Sequence, residues 1–473
     1  MGVLQALILT MYFAGLLVLA FFALHRGWLV LRARALPPLP RCPHNPSFRP
    51  TVTVQLPIYN ERFVVARLLD AVAQLDWPRD RLEVQILDDS SDETVQEAAA
   101  GARRLCALGI DTKHIRRTHR EGFKAGALAD GLQCARGEFL LVLDADFVPP
   151  PDLLDRLLAP MQDPSVGMVQ ARWGHLNRAT SALTQTEALF LDAHFLIETE
   201  VRARSGAFFN FHGTAGIWRR SAIEEAGGWS ADTLTEDLDL SYRAQLAGWR
   251  FVYLPHVVVP AELPETLAAF RRQQARWTQG AAATARKLLW RLWRGPWPTV
   301  VKREALLHLG AHIVYPVTLA VTLLAVPAVL MRHAVGAGPW LWLDVVLAIT
   351  IIAPTRLFYC AAARRAGIRA PNLIWTARLL LAATALAISN TRAACAGWLG
   401  HAGHFERTPK TRGQHGVTKS YRPSSALTVR WLDGGVAAYL TIGLILAALQ
   451  GGLGAVPFLA LVAAGFVRAA ARG

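Results

Sequence analysis

Charged residues are scarce in this chain: they make up 18% of its 473 residues, whereas hydrophobic residues make up 53%. Such a balance is too apolar for a purely water-soluble protein of this size. Cysteine is scarce as well, and none of the five cysteines stands in a CxxC pair. A disulfide framework or a zinc site is therefore not expected. The chain also has no GxSxG, HExxH or Walker motif, which leaves the hydrolase and P-loop classes without support.

The hydrophobic residues are concentrated in runs long enough to cross a membrane. Residues 3–24 form the first run, which at ~1.5 Å per residue crosses a ~30 Å hydrocarbon layer. Because it lacks a basic start and a small-residue cleavage site, we expect an anchor rather than a removed signal peptide. Further spans are expected at about 306–331, 340–362, 372–389, 433–449 and 453–468.

Basic residues outnumber acidic ones and give a net charge of +15. They form no dense tract with interleaved aromatic residues, so no nucleic-acid partner is expected. Many of them flank the apolar runs, which is typical of the cytoplasmic face of a membrane protein. Residue 35 onward is therefore predicted to be cytoplasmic in a multi-pass protein of the inner cell membrane, with the lipid bilayer as a partner.

The number of predicted spans conflicts with the basic character of the loop 396–431. Three crossings before this loop would leave it outside, against the tendency of basic loops to remain cytoplasmic. We therefore expect one segment to be re-entrant or interfacial. Residues 372–395, which contain Arg378, Asn390 and Arg392, are predicted to be the weakest span.

Between the first span and the later ones, the chain alternates between strand and helix patterns. The predicted strands are 51–56, 82–87 and 139–143, and the predicted helices are 62–74 and 94–105. This order is typical of a doubly wound parallel sheet, in which ligands bind at the carboxyl ends of the strands. Carboxylate pairs follow two of these strands, at Asp88–Asp89 and at Asp144 and Asp146.

Each polar motif permits chemistry and also has a plainer explanation. Asp144 and Asp146 offer hard oxygen ligands for Mg²⁺ or Mn²⁺ with a diphosphate, although such a triplet is often a solvated turn. Asp88–Asp89 could equally cap the helix that begins at residues 91–94. Lys124 could contact a phosphate or be solvated. Asp237 could be a general base or a carboxylate that stabilises a helix N-terminus.

Arg276 and Trp277 lie on a predicted amphipathic helix, 264–294, that is rich in arginine and tryptophan. They pair an anion donor with a flat aromatic face suited to a sugar ring, but they could also be an interfacial anchor. Three histidines, His175, His194 and His212, lack metal-ligand spacing and are predicted to be structural.

Five short motifs occur in an order and spacing that are more specific than any one of them. They are Leu87–Asp92, Lys124–Ala127, Asp144–Asp146, Thr235–Asp237 and Gln273–Trp277. This series, within residues 51–280, resembles the processive, membrane-integrated family 2 glycosyltransferases, such as cellulose, chitin, hyaluronan and mannan synthases. The local sequences at Leu56–Glu61, Phe209–Gly216 and Phe405–Lys410 look similar to those of the cellulose-synthase-like A mannan and glucomannan synthases and their bacterial relatives.

The resemblance implies an α/β GT-A fold, with a mixed, mainly parallel sheet and flanking helices, joined to an α-helical transmembrane region. Carried over residue by residue, it implies that the nucleotide-sugar donor is held by Asn60, Glu61, Asp88, Asp89, Lys124, Asp144 and Arg276. The catalytic residues would be Asp237, as the base, and Glu236. The metal ligands would be Asp144 and Asp146, with Mg²⁺ or Mn²⁺ as the cofactor. The acceptor would be held by Gly213, Thr214, Gln273 and Trp277. His212 departs from the family pattern, since a smaller or amide residue is expected there.

The implied organisation has four parts. They are an N-terminal transmembrane helix at 1–30, a cytoplasmic GT-A domain at 45–265, amphipathic interfacial helices with the QxxRW motif at 266–300, and a transmembrane region at 301–473. The loop around 396–431 would carry a cytoplasmic gating segment at Phe405–Lys410.

The predicted activity is inverting transfer of glucose or mannose, from UDP-glucose or GDP-mannose, to a growing β-glycan that is secreted through the membrane spans. An alternative is a non-processive enzyme that glycosylates a lipid, such as ceramide or diacylglycerol. The number of true spans and a channel between them would separate the two. An inactive transporter or scaffold is disfavoured, because every expected catalytic residue type is present.

Overall fold

The computed structural model describes residues 2–37, 45, 47–334, 338–401, 403, 425–450 and 456–472. The strands are β1 (Val52–Ile58), β2 (Leu82–Asp88), β3 (Asp111–Arg116), β4 (Phe139–Val142), β5 (Val166–His175), β6 (Gly216–Arg219) and β7 (Arg250–Ala261). The helices that precede β7 in the chain are α1 (Val3–Arg34), α2 (Val65–Ala73), α3 (Thr94–Ala107), α4 (Phe123–Cys134), α5 (Leu153–Leu158), α6 (Ala182–Ala193), α7 (Glu200–Arg204), α8 (Arg220–Glu225) and α9 (Glu236–Leu246). The later helices are α10 (Leu267–Arg294), α11 (Thr299–Gly310), α12 (Val314–Ala334), α13 (Gly338–Arg365), α14 (Leu373–Leu399), α15 (Ser425–Leu449) and α16 (Val456–Arg472).

Seven strands in the described residues form one sheet, in the order β3-β2-β1-β4-β6-β5-β7. β1 is parallel to β2 and to β4, and β2 is parallel to β3. β6 is antiparallel to both of its neighbours, and β5 is parallel to β7. The sheet is therefore mixed and mainly parallel, which confirms the predicted fold class.

Burial on both faces explains the composition of the central strands. β4 is fully buried along its length, as expected for the continuous apolar run from which it was predicted. The two buried amides in β1 and β2 contact each other, since Nε2 of Gln55 donates to Oε1 of Gln85 at 3.0 Å. This bond pairs one polar atom of each amide inside the otherwise apolar sheet.

The three predicted strands are confirmed, but the end of the first one was wrong. β1 continues through Pro57 to Ile58, whereas we predicted that it stops at Pro57. β4 pairs only with the part of β1 from Val52 to Gln55. Because the β4 side of β1 is unpaired beyond that point, the missing N–H of Pro57 breaks no ladder on that side.

Five helices among the described residues have the length and apolar composition needed to cross a membrane: Val3–Arg34, Thr299–Arg332, Trp342–Arg365, Leu373–Leu399 and Thr428–Leu449. The span predicted at 453–468 corresponds to a shorter apolar helix, Phe458–Ala471. The helix at Leu373–Leu399, predicted to be the weakest span, has the lowest mean hydropathy of the five. Its Asn390 is fully buried, so this polar group faces protein rather than lipid.

A loop was predicted at 396–431, but both ends of this range lie within helices. α14 continues to Leu399, where Gly400 adopts the left-handed conformation that commonly ends helices. α15 begins at Ser425. The gating segment predicted at Phe405–Lys410 lies outside the described residues.

α10 is a single 28-residue helix that begins at Leu267, three residues later than predicted. It packs closely along α14, where a Cβ on Gly397 would lie 2.4 Å from the carbonyl oxygen of Gln279. Near its C-terminal end Trp290 and Trp293 are exposed. Exposed tryptophans beside basic residues are typical of a helix at a membrane interface. The interfacial location of α10 stays a prediction.

A buried ion pair joins α10 to α15. Nη1 of Arg271 lies 2.7 Å from Oδ2 of Asp433, and the exposed fractions of the two side chains are 7% and 0%. An aspartate inside an apolar helix is costly unless it is paired. The pair therefore fixes the helix that carries Arg276 and Trp277 to the membrane region.

We expect Asp433→Ala to lower the free energy of unfolding by about 3 kcal/mol, because it leaves the Arg271 charge buried and unpaired. The double variant Arg271→Met/Asp433→Leu should recover most of this loss. Denaturant unfolding in detergent measures both variants. As a control, Arg250→Ala breaks an exposed pair with Asp163 and should cost less than about 1 kcal/mol. Equal losses in the single and the double variant would contradict a role for the pair.

Candidate active site

An open cavity of about 170 Å³ lies at the carboxyl ends of the parallel strands β1, β2 and β4. Ligands bind at this edge in parallel sheets. Most of the residues predicted from the motifs line it. They are Glu61, Asp89, Lys124, Asp144, Asp146, Gly213, Glu236, Asp237, Gln273, Arg276 and Trp277.

The segment after β4 positions two aspartates at the cavity. The backbone N–H of Asp144 donates to Oγ1 of Thr214 at 2.9 Å, and Oδ1 of Asp144 accepts from Nζ of Lys124 at 2.5 Å. Oδ2 of Asp146 accepts from the backbone N–H of Glu262 at 3.1 Å. Within the described part of the chain, no group of three His, Cys, Asp or Glu side chains could hold a metal ion. The two carboxylates suit a divalent ion that completes its shell with ligand and water oxygens.

Lys124, near the start of α4, joins three segments of the cavity wall. Its Nζ donates to the carbonyl oxygen of Gly213 at 2.8 Å and lies 4.0 Å from Oε1 of Glu236, besides its contact with Asp144. Burial lowers the pKa of the Lys124 ammonium, but the charges of Asp144 and Glu236 outweigh this effect and raise the pKa overall. Lys124 is therefore a permanent cation in the cavity.

Gly213 has a φ of 80°, a backbone conformation that residues with a side chain rarely adopt. A Cβ at this position would lie 3.1 Å from Oδ2 of Asp237. The glycine thus allows its carbonyl to face Lys124 while the carboxylate of Asp237 approaches closely.

Asp237 lies in the first turn of α9, next to Glu236. Its Oδ1 accepts from the backbone N–H of Leu238 at 2.8 Å. Burial, together with the charge of Glu236, raises the pKa of Asp237 to about 7, although Lys124 acts in the opposite direction. A carboxylate with a pKa near neutrality is suited to accept a proton during a reaction.

α10 brings Arg276 and Trp277 to the opposite side of the cavity. Burial lowers the pKa of Arg276, and the charges of Glu236 and Asp144 only partly offset this effect. An arginine nevertheless stays protonated, so Arg276 can bind an anion. The ring of Trp277 lies 6.3 Å from that of Trp173, with the two planes at 55°.

Three predicted site residues lie behind the wall of the cavity. Asp88 is buried, and Nε2 of His114 lies 2.9 Å from its Oδ2. Oδ1 of Asn60 accepts a hydrogen bond from the backbone N–H of Ser91 at 2.8 Å, so Asn60 joins the loops after β1 and β2. Thr214 is buried and holds the backbone of Asp144. These contacts support the wall, and the direct ligand contacts stay predictions.

The plainer explanation for Asp88–Asp89, a cap for the next helix, is wrong. The backbone N–H of Thr94 donates instead to Oδ1 of Asp92, at 2.9 Å. Asp89 is held by Arg117, whose Nε donates to its Oδ1 at 2.8 Å. Of the two side chains at this strand end, Asp89 lines the cavity, whereas Asp88 accepts from the backbone N–H of Ser90 behind it.

Two arginines in the loop after β3 were missed by the sequence analysis. Arg117 holds Asp89, and Arg120 lies over the ring of Tyr59, 3.4 Å from its centroid, at the cavity wall. Both follow an edge strand that was not predicted. Recognition of β3 would have placed its carboxyl end beside that of β2 and pointed to these residues.

Trp173, at the end of β5, and His212 also line the cavity. Trp173 has no role predicted from the sequence, and His212 is predicted to be structural. The stretch around β5 shows no clear period of two, so its direction toward the cavity could not be inferred.

Residues 50–280 match the family described as Glycosyltransferase like family 2. The chain is 44% identical over 244 residues to the probable glucomannan 4-beta-mannosyltransferase 7 of Oryza sativa subsp. japonica, across 50% of this chain and 42% of that protein. It is 45% identical over 245 residues to the glucomannan 4-beta-mannosyltransferase 2 of Arabidopsis thaliana, across 51% of this chain and 46% of that protein. The matched segment thus spans less than half the length of these two relatives.

Among solved structures, the chain is similar to a mannosyltransferase from Pyrobaculum calidifontis in complex with GDP-Man and Mn²⁺. The TM-score is 0.55 at 25% identity, and the similarity covers 76% of this chain and 98% of that protein. The resemblance inferred from the motifs and the GT-A fold are both confirmed by these matches.

The raised pKa of Asp237 has a consequence for stability. Because the folded-state pKa of about 7 exceeds the unfolded value of about 3.9, ionising Asp237 costs folding free energy as the pH rises between these values. We expect Asp237→Asn to stabilise the protein relative to the wild type, by an amount that grows by about 2 kcal/mol from pH 5 to pH 7 and levels off above about pH 8. Unfolding measured across this pH range tests it.

Glu236→Gln supplies the matched comparison. Its charge raises the pKa of Asp237, so the stabilising effect of Asp237→Asn in that background should level off at a lower pH. A stability difference between wild type and Asp237→Asn that does not change with pH would contradict the assignment.

Proposed function

Since residues 50–280 are a family 2 glycosyltransferase domain, we propose that the protein transfers mannose from GDP-mannose to the end of a β-1,4-linked glycan. The observation that carries this proposal is a carboxylate with a raised pKa, Asp237, beside the cationic groups of Lys124 and Arg276 in one cavity. Of the two hexoses predicted from the sequence, mannose is supported by the names of the two plant relatives and by the GDP-Man in the solved structure.

The arrangement suits a direct displacement. The acceptor hydroxyl attacks the anomeric carbon from the face opposite the nucleoside diphosphate, which inverts the configuration. Asp237 takes the proton of this hydroxyl as the bond forms. Lys124 and Arg276 stabilise the negative charge that grows on the leaving diphosphate.

Asp144 and Asp146 would hold a divalent ion, Mg²⁺ or Mn²⁺, and the Mn²⁺ in the solved relative supports this assignment. When bound, the ion supplies further charge stabilisation to the diphosphate. Asp144 also contacts Lys124. Lys124 is therefore placed to move from Asp144 toward the phosphates when a donor and its ion enter.

The membrane helices support delivery of the product at a bilayer. α10 lies between the cavity, which it lines with Arg276 and Trp277, and the candidate span α14. We propose that the catalytic domain is cytoplasmic and that the polymer is secreted through the inner cell membrane. A lipid acceptor is the competing outcome, because the same helices would also hold the cavity close to membrane lipids.

The donor and the acceptor can be tested together. Membranes that contain the protein are incubated with labelled GDP-mannose, GDP-glucose, UDP-glucose or UDP-N-acetylglucosamine, and the products are separated into lipid extract and polymer. We expect label from GDP-mannose in a polymer that an endo-β-1,4-mannanase degrades. Asp237→Asn should lower the rate by about 10²–10⁴-fold while GDP binding is retained. Label only in the lipid extract would establish the lipid acceptor, and no transfer from any donor would refute the activity.

The metal assignment has a separate test. GDP affinity of the purified protein is measured by calorimetry with Mn²⁺, with Mg²⁺ and with EDTA. We expect EDTA to weaken binding at least about tenfold in the wild type, which corresponds to about 1.4 kcal/mol. Asp144→Asn should show the same weak affinity with and without the ion. Metal-dependent binding that survives in Asp144→Asn would rule out this aspartate as a ligand.

A further inference from the structure

One part of the cavity wall is formed by aromatic and imidazole side chains that the mechanism above does not use. The ring of Trp173 is packed against Phe147 and Phe195, with centroids 5.4 and 5.3 Å away. The ring of Trp277 lies at 55° to it, 6.3 Å away. Since the Trp173 ring is held by two other rings, the two indoles form a fixed corner at the cavity wall.

Two buried polar atoms in this region have no hydrogen-bond partner among the described residues. They are Nε1 of Trp173 and Nδ1 of His212. The centroids of the two rings are 6.2 Å apart, and both side chains line the cavity. Buried polar atoms are rarely left unpaired, because an unpaired one loses its hydrogen bonds to water without replacement. A ligand in the cavity that pairs with them would therefore be favoured.

The hydrogen bonds behind His212 determine which of its ring nitrogens is left for a ligand. Burial raises the pKa of Glu198, but its hydrogen bond from His194 and the charge of Arg202 outweigh this effect and lower the pKa overall. The ionised carboxylate accepts from Nδ1 of His194 at 3.0 Å. Nε2 of His194 lies 2.8 Å from Nε2 of His212, so the two rings share one hydrogen bond. This bond occupies Nε2 of His212 and leaves Nδ1 for a ligand.

His212 is neutral, since burial, together with the charge of His194, lowers its pKa well below the usual value. Nδ1 of a neutral imidazole donates or accepts according to the tautomer, and the Nε1 of the Trp173 indole only donates. A sugar hydroxyl both donates and accepts, so it can pair with both atoms.

A wide helical turn creates this arrangement. Residues His194–Thr199 form a π-helical turn between α6 and α7. Such turns are rare in proteins, and many of those that occur lie at functional sites. The turn brings Oγ1 of Thr199 within 3.5 Å of Nε2 of both His194 and His212, so it steadies the pair.

We propose that Trp173 and His212 form a second sugar-binding subsite beside Trp277, so that the acceptor is a β-linked oligosaccharide of at least two hexose residues. The terminal residue lies on Trp277, and the next residue packs on the Trp173 indole and shares a hydroxyl with Trp173 and His212. This inference rests on the proposed function, because it assigns the acceptor of the same reaction.

The test is the dependence of acceptor kinetics on chain length. Transfer from labelled GDP-mannose is measured with mannose and with β-1,4-linked mannobiose, mannotriose and mannotetraose. In the wild type we expect kcat/KM to rise at least about tenfold from mannose to mannobiose and to change less beyond it. Trp173→Ala should abolish this rise by increasing KM for mannobiose, with kcat at saturating mannotetraose within about threefold of the wild type.

Substitutions of the two side chains separate stacking from hydrogen bonding. Trp173→Phe keeps a ring but removes the N–H, and it should retain part of the rise. His212→Phe removes the polar ring atom and should give a similar partial loss, whereas His212→Asn, whose amide both donates and accepts, should restore it. The matched control is Trp249→Phe, because Trp249 donates to Glu225 away from the cavity. This control should leave the rise unchanged.

Thermal unfolding of each variant in detergent shows whether it is folded. A wild type that transfers mannose but shows no gain from mannose to mannobiose overturns the subsite alone. The same holds if the gain persists in Trp173→Ala. A wild type that transfers mannose to none of these acceptors, and to no polymer, refutes the proposed function itself.

Discussion

The charge of Lys124 is the interaction on which the cavity depends. Its ammonium contacts the carboxylate of Asp144 and the carbonyl of Gly213, and it lies near Glu236. These partners come from three segments that are far apart in the sequence. Without the cation, the carboxylates of Asp144, Glu236 and Asp237 would repel one another in a partly buried site. The lysine therefore lets the acidic groups assemble, and it leaves Asp237 with a proton affinity suited to a base at neutral pH.

The part of the site that could be predicted follows from strands that end in acidic residues. Asp144 and Asp146 come directly after a fully buried run, and a parallel sheet brings such ends to one edge. The spacing of the later motifs then identified Asp237, Arg276 and Trp277 through resemblance rather than through periodicity. No physical rule read from the sequence alone would have brought α10 to the cavity.

The part that could not be predicted depends on elements with weak local signals. β3 is polar and only partly buried along its length, because it is the edge strand. Its absence from the prediction concealed the two arginines that follow it. Trp173 and His212 meet only because β5 and the segment before β6 approach each other in the fold, and the π-helical turn contacts His212 from behind. Neither hydrophobic periodicity nor residue spacing reports such a contact.

The hydrogen bond between Asp146 and the backbone of Glu262 links the two sides of the cavity. Glu262 follows β7 directly, and the chain enters α10 at Leu267. The carboxylate that would face a metal ion therefore also secures the start of the helix that carries Trp277. Poor use of acceptors by an Asp146 variant would therefore not show that Asp146 contacts the acceptor, because the substitution also removes the bond that secures the start of α10. Mutational data at Asp146 can be interpreted only beside data at Asp144, which has no such attachment to β7 among its hydrogen bonds in the described residues.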